Sequence, residues 1–106
     1  MSPSYIEKKM ENEIRLVILI EVTPGKAEEQ INLYKKIKPL VQNEEGCLQY
    51  ELNRVSGSDV KFVLTECWES EECLARHDET PHMKEADSIS PLFRAGPATV
   101  LRLINI

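Results

Sequence analysis

IRLVILIEV, residues 14–22, decides the fold. The run is too short for the roughly 20 residues of a membrane-spanning helix. It is rich in Ile and Val, and Thr23-Pro24-Gly25 stops it, so it reads as a β-strand. Leu16, Ile18 and Ile20 fall on one face of that strand, and Val17 and Leu19 on the other. A strand apolar on both faces is covered on both sides.

Working outward, Ala27, Ile31, Tyr34, Ile37 and Val41 recur at helical spacing, with Thr23 placed to cap and Pro24 to open the helix. Pro39 is expected to bend it or end its first segment, and Glu44-Glu45-Gly46 closes it. Cys47 to Val55 alternates as a second strand, with Leu48, Tyr50 and Leu52 pointing one way. Ser56-Gly57-Ser58-Asp59 turns the chain into a third strand, Val60 to Glu69, where Phe62, Leu64, Glu66 and Trp68 share a face. Ser70 caps a short helix over Glu71 to His77. Thr80, with Pro81 behind it, caps another that runs to about Phe93, with an interruption at Pro91. Ala98 to Ile106 reads as the last strand.

The order strand, helix, strand, strand, helix pair, strand is that of a ferredoxin-like α+β fold. It predicts a four-stranded antiparallel sheet with helices on one face. The apolar second face of strand one then needs cover, and a second copy's sheet supplies it, so a homodimer is expected. Residues 1–13 are polar and lack periodicity. They read as an arm outside a single domain over 14–106, a division that suits a chain of 106 residues.

Composition narrows the function. The net charge is −5, from 13 basic and 18 acidic side chains, which argues against nucleic acid and against an anionic membrane surface as partners. The first thirteen residues carry charges but no apolar core, so no signal peptide is expected. Three cysteines without a C-x-x-C pair make no disulfide framework, and a cytoplasmic location is expected.

The only tryptophan and both histidines fall between Trp68 and Ala86. Helix punctuation explains Ser70, Thr80 and Pro81 but not the histidines. His77 falls near the end of one short helix and His82 in the first turn of the next. A neutral imidazole accepts a proton, so both are candidate catalytic bases. Their i, i+5 spacing across a helix break, without a Cys pair or H-E-x-x-H, argues against a metal site. Glu66 shares a face with apolar residues, and burying an unpaired carboxylate is costly. It lies at a strand end in water, pairs with Arg102, or lines a pocket as an acid or base. Tyr50 adds a hydroxyl on the neighbouring strand.

EEGCLQYEL (residues 44–52) and FVLTECWESEECLARHDETPHMK (residues 62–84) resemble the antibiotic biosynthesis monooxygenase family, most closely its small quinol monooxygenase-like members. The resemblance covers about residues 14–106. It rests most specifically on the E-E-G-C turn, the E-x-W-E-S strand end and H-x-x-T-P-H-M-K. It implies a dimeric α+β barrel with a pocket between sheet and helices in each protomer. It also implies a cofactor-independent monooxygenase, using neither metal nor flavin, that oxidises a small quinol or phenol with O2. On that resemblance His77, His82 and Glu66 are the catalytic candidates, and Trp68, Tyr50, Phe62 and Met83 shape the substrate pocket. Haem-degrading relatives use an asparagine in the first strand, and this strand has none. Two other readings stay open. One is an isomerase or other acid/base enzyme acting on a phosphorylated autoinducer-like molecule, for which Lys38, Arg76, Lys84 and Arg102 are the candidate cations. The other is a non-catalytic dimeric binding module.

Overall fold

The computed structural model describes residues 12–106. The arm expected over residues 1–13 lies almost wholly outside them. The elements are β1 (Ile14–Glu21), α1 (Ala27–Gln42), β2 (Cys47–Arg54), β3 (Lys61–Trp68), α2 (Glu71–Asp78), α3 (Pro81–Ile89), a 3₁₀ turn (Ser90–Leu92) and β4 (Thr99–Leu103). The strands form one antiparallel sheet in the order β2-β3-β1-β4, and the architecture is the expected ferredoxin-like α+β fold.

Register places the functional face. Tyr50, Glu66, Leu16 and Arg102 form one row across the sheet; Leu52, Leu64, Ile18 and Val100 form the next. These rows lie beneath the helices. Ile37 and Val41 of α1, Phe93, and Trp68 at the end of β3 are buried with Leu16, Ile20 and Phe62 in one apolar cluster. Val41 and Trp68 are each 0% exposed. Burying an apolar side chain that completely contributes roughly 1.5–3 kcal/mol. The opposite face carries Val17 paired with Leu101, Leu19 paired with Val63, and Leu103 opposite Arg15. Leu19, Leu101 and Leu103 there are 43%, 45% and 49% exposed.

Several local expectations are corrected. Thr23 and Pro24 do not start α1. Thr23-Pro24-Gly25 forms a turn in which the Lys26 N–H donates to the Thr23 carbonyl, Gly25 takes φ +85°, and Lys26 becomes the N-cap. The helix runs through Pro39 to Gln42 without ending there. The bulge between Cys47 and Gln49 takes Leu48 out of simple alternation, leaving it 53% exposed beside a buried Tyr50. β4 stops at Leu103, three residues short of the expected end.

The caps of the two short helices lie where the sequence puts them. Ser70 Oγ accepts from the Cys73 N–H and Thr80 Oγ1 from the Met83 N–H. The turn at Glu44-Glu45-Gly46 matters more than its composition suggests. Gly46 takes φ +80°, and a Cβ there would lie 2.3 Å from Cys73 Sγ. Only glycine lets α2 pack this closely against the turn.

Candidate active site

A cavity of about 470 Å³ lies between the sheet and the helices. The two rows through Leu16 and Ile18 form its floor. Tyr34 and Ile37 of α1, Leu74 and His77 of α2, and Met83 and Ala86 of α3 wall it. Most of the lining is apolar. Its more exposed members, Asp78, Asp87 and Val100, mark where it meets solvent.

The polar centre is built around His77, which is 2% exposed. Ser70 caps α2 and so sets the helix that carries His77 over the end of β3. His77 Nδ1 lies 3.1 and 3.0 Å from the two carboxylate oxygens of Glu44. A carboxylate only accepts, so Nδ1 carries a proton, and in the neutral ring Nε2 keeps its lone pair. Nε2 points towards Glu66 Oε1 at 3.8 Å, beyond hydrogen-bond range. In that form His77 presents a proton-accepting atom on the side of the cavity's buried acid. His82 Nε2 donates to Glu44 Oε2 at 2.7 Å. One carboxylate thus orients both rings.

Glu66 is buried at 6% exposure. Its Oε1 accepts from the Trp68 indole N–H at 2.9 Å. Burial pushes its pKa above the ordinary carboxylate range, while the Trp68 hydrogen bond and then His77 pull the other way. Of the three expected surroundings, the cavity wall is the one it occupies; Arg102 pairs with Glu71 instead. The Trp68 ring packs on His77 with centroids 4.4 Å apart. Tyr50 meets His77 edge-on at 6.0 Å and stacks on Tyr34 at 5.8 Å. The Tyr34 hydroxyl donates to the Tyr50 carbonyl and so ties α1 to β2 beside the site.

The residues singled out in the sequence do not all meet at one surface. His77, Glu66, Tyr50 and Met83 line the cavity. Trp68 does not; it is fully enclosed behind the wall, where it holds Glu66 and backs His77. Phe62 is also buried and not part of the lining, with the Arg54 guanidinium 5.6 Å over its ring. His82 is outside the lining and reaches the centre only through Glu44. Of the candidate cations, only Arg102 borders the cavity. Lys38 lies over the Tyr34 ring, and Arg76 and Lys84 pair with Glu45 and Glu79.

Sequence reasoning missed Glu44, Gln30, Ser90 and Arg94. Glu44 looked like helix-closing punctuation. The signal was the E-E-G-C motif itself, because a glycine-tightened turn places a carboxylate against α2. Arg94 follows the 3₁₀ turn and donates from Nε to Gln30 Oε1 at 3.1 Å across the cavity's far end. No spacing pattern links positions 30 and 94. Among the described residues, no group of three or more His, Cys, Asp or Glu side chains is arranged to hold a metal ion.

Comparison with known proteins agrees with this architecture. The family model described as antibiotic biosynthesis monooxygenase matches residues 13–87. A Bacillus subtilis (strain 168) protein named "Putative monooxygenase YcnE" is 30% identical over 89 residues, which cover 84% of this chain and 94% of that one. A conserved protein from Methanosarcina mazei Go1 superposes with a TM-score of 0.87 at 23% identity, covering 94% of this chain and 99% of its own. PA3566 from Pseudomonas aeruginosa superposes with a TM-score of 0.83 at 24% identity, covering 92% and 97%. These two structures share the fold. The family match over most of the chain, together with the curated relative, places this protein in the antibiotic biosynthesis monooxygenase family.

Proposed function

We propose that the protein is a cofactor-independent monooxygenase that oxidises a small quinol or phenol with O2. The observation that carries this reading is the pairing of His77 and Glu44. A buried imidazole is fixed in one tautomer by a carboxylate, with its free nitrogen on the side of a largely apolar cavity. Removing a phenolic proton yields an electron-rich anion that reduces O2 directly. One oxygen atom enters the ring and the other leaves as water, and the substrate supplies all four electrons. The protein's part is to take the proton, hold the ring and exclude water. His77 Nε2 is the base, and Glu44 stabilises the imidazolium that forms. Glu66, biased towards its neutral form by burial, donates a hydrogen bond to the substrate oxygen or returns the proton. Tyr50 and Met83 orient the ring. Trp68 and His82 act one step back, on Glu66 and Glu44.

A phosphorylated substrate is favoured by one observation, since Arg94 and Arg102 both border the cavity. The rest of the wall opposes it. Arg102 is committed to Glu71, and Glu66, Asp78 and Asp87 share the lining, where they would repel a phosphate dianion.

The apolar outer face of the sheet supports a homodimer built on Leu19, Leu101 and Leu103. The three free cysteines suit a reducing cytoplasm. Among the described residues no helix is long and apolar enough to cross a membrane.

The test is oxygen uptake by chelator-treated protein against a panel of hydroquinones and polyphenols, with autoxidation subtracted. Uptake that scales with protein and drops at least about tenfold in His77→Ala is expected. No protein-dependent uptake across the panel overturns the oxygenase reading, and a screen of phosphorylated sugars follows.

A further inference from the structure

The cavity is polar at both ends, and the two ends differ in kind. His77 is anchored by Glu44, just past the C-terminus of α1. Arg94 is anchored by Gln30, in the first turns of the same helix. The two anchors sit at opposite ends of α1. Both side chains reach inward to line the same space. At the His77 end stand a proton acceptor and the buried acid Glu66. At the Arg94 end the groups are donors.

Two donors there, and a third on Tyr50, which stands beside His77 and Glu66, have spare capacity. Arg94 spends only Nε, on Gln30, and its two terminal NH2 groups have no partner among the described residues. The hydroxyls of Ser90 and Tyr50 have none either, although the residues are only 7% and 3% exposed. No fully enclosed side-chain nitrogen or oxygen among the described residues lacks a partner. Both hydroxyls therefore open onto the cavity they line. Burial of Tyr50, and then the nearby Glu66, raise its pKa, so it stays a protonated donor. Burial lowers that of Arg94, which marks a guanidinium short of water and of a counter-charge. Asp87, the acid nearest in influence, is exposed and makes no ion pair with it. A desolvated guanidinium with its fork unused is matched by a planar oxyanion.

We propose that the ligand of this cavity is an aromatic hydroxy acid, whose carboxylate is held by Arg94 with help from Ser90 and Tyr50 while its phenolic hydroxyl faces His77 and Glu66. This deepens the oxygenase reading and rests on it for the identity of the hydroxyl end. One carboxylate matches the single uncommitted cation, whereas a phosphate dianion would call for a second.

The experiment is anaerobic calorimetric titration of the full chain, so that binding is read without turnover. The probes are 2,5-dihydroxybenzoate, its methyl ester, and phenyl phosphate. The acid is expected to bind at least about tenfold more tightly than the ester, the usual weight of a charge-assisted bidentate pair. Arg94→Gln is expected to abolish that preference. Arg94→Lys keeps the charge but loses the fork, and a reduced preference there serves as the readout should Arg94→Gln not fold. Equal binding of acid and ester, no binding of either, a preference that survives Arg94→Gln, or tighter binding of phenyl phosphate overturns the proposal. Oxygen uptake with neutral quinols decides the oxygenase reading separately, so the two can fail independently.

Discussion

Glu44→Gln is the sharpest perturbation, because the structure dictates what an amide must do there. Glu44 Oε2 lies 3.0 Å from His77 Nδ1 and 2.7 Å from His82 Nε2, and Oε1 lies 3.1 Å from His77 Nδ1. With its oxygen in the Oε2 position, the amide accepts from both rings but brings its NH2 against the Nδ1–H. With its NH2 there, His82 must present a lone pair, while His77 Nδ1 faces the NH2 at 3.0 Å and the amide oxygen at 3.1 Å, so the hold on the Nδ1-protonated tautomer is lost and the proton is free to move to Nε2, the proposed base. Either arrangement replaces hydrogen bonds to a charged acceptor, each worth about 1.5–3 kcal/mol. A net loss of about 1–3 kcal/mol lowers Tm by roughly 5–15 °C in a domain of this size. A base in the wrong tautomer costs about 10²–10⁴ in kcat/KM. The assays are a thermal melt, oxygen uptake on the best quinol of the panel, and ¹⁵N NMR of the His77 ring. Wild type should show protonated Nδ1 and the variant should lose that signature. Turnover within about twofold of wild type, or a wild-type ring with bare Nδ1, would refute the orientation argument.

Other consequences concern stability and assembly. Glu66 has a raised folded-state pKa, so its contribution is fully present below the unfolded carboxylate pKa and is lost as pH rises through the folded value. Glu66→Gln keeps an oxygen for the Trp68 N–H, so its Tm relative to wild type should improve from pH 4 to pH 8; melts showing a constant difference would contradict this. Gly46→Ala meets both a positive φ and Cys73 Sγ at 2.3 Å, whereas Gly57→Ala meets only φ +81° with open space around it. Denaturant titration should find the first costing more than about 2 kcal/mol and the second about 1–2 kcal/mol; equal costs would mean that α2 yields freely. The exposed leucines of the outer sheet face predict a dimer at micromolar concentration by light scattering, which Leu101→Lys should split into monomers. A monomeric wild type would remove the paired-sheet picture.

Local rules were sufficient for much of this molecule. The two-faced apolar pattern of Ile14–Glu21, the turn at residues 56–59, the Ser70 and Thr80 caps and the stripe through Ile37 and Val41 all act within a few residues. Together they specify the element order and hence the fold. Where local rules competed, tertiary packing chose between them. Thr23 and Pro24 have capping chemistry, but Thr23 is drawn to the segment after the 3₁₀ turn, its N–H donating to the Phe93 carbonyl, and α1 starts later. Pro39 could end a helix, yet Ile37 and Val41 on either side of it are buried, and that burial carries the helix onward.

The site divides in the same way. His77, Glu66 and Tyr50 stood out because a titratable or hydroxyl-bearing residue on an apolar pattern is conspicuous within one element. Their partners were not conspicuous. Glu44 lies 33 residues before His77, and Gln30 lies 64 before Arg94, so only the folded chain brings each pair together. Trp68 shows the opposite limit. Its face was legible, but whether that face met a cavity or solid core depended on how α2 packs over the strand end. A sequence carries the alternation of a strand and the period of a helix because those arise from nearest neighbours. Which carboxylate holds which imidazole, and which guanidinium is left without a counter-charge, arise from long-range packing, and only the tertiary structure decides them.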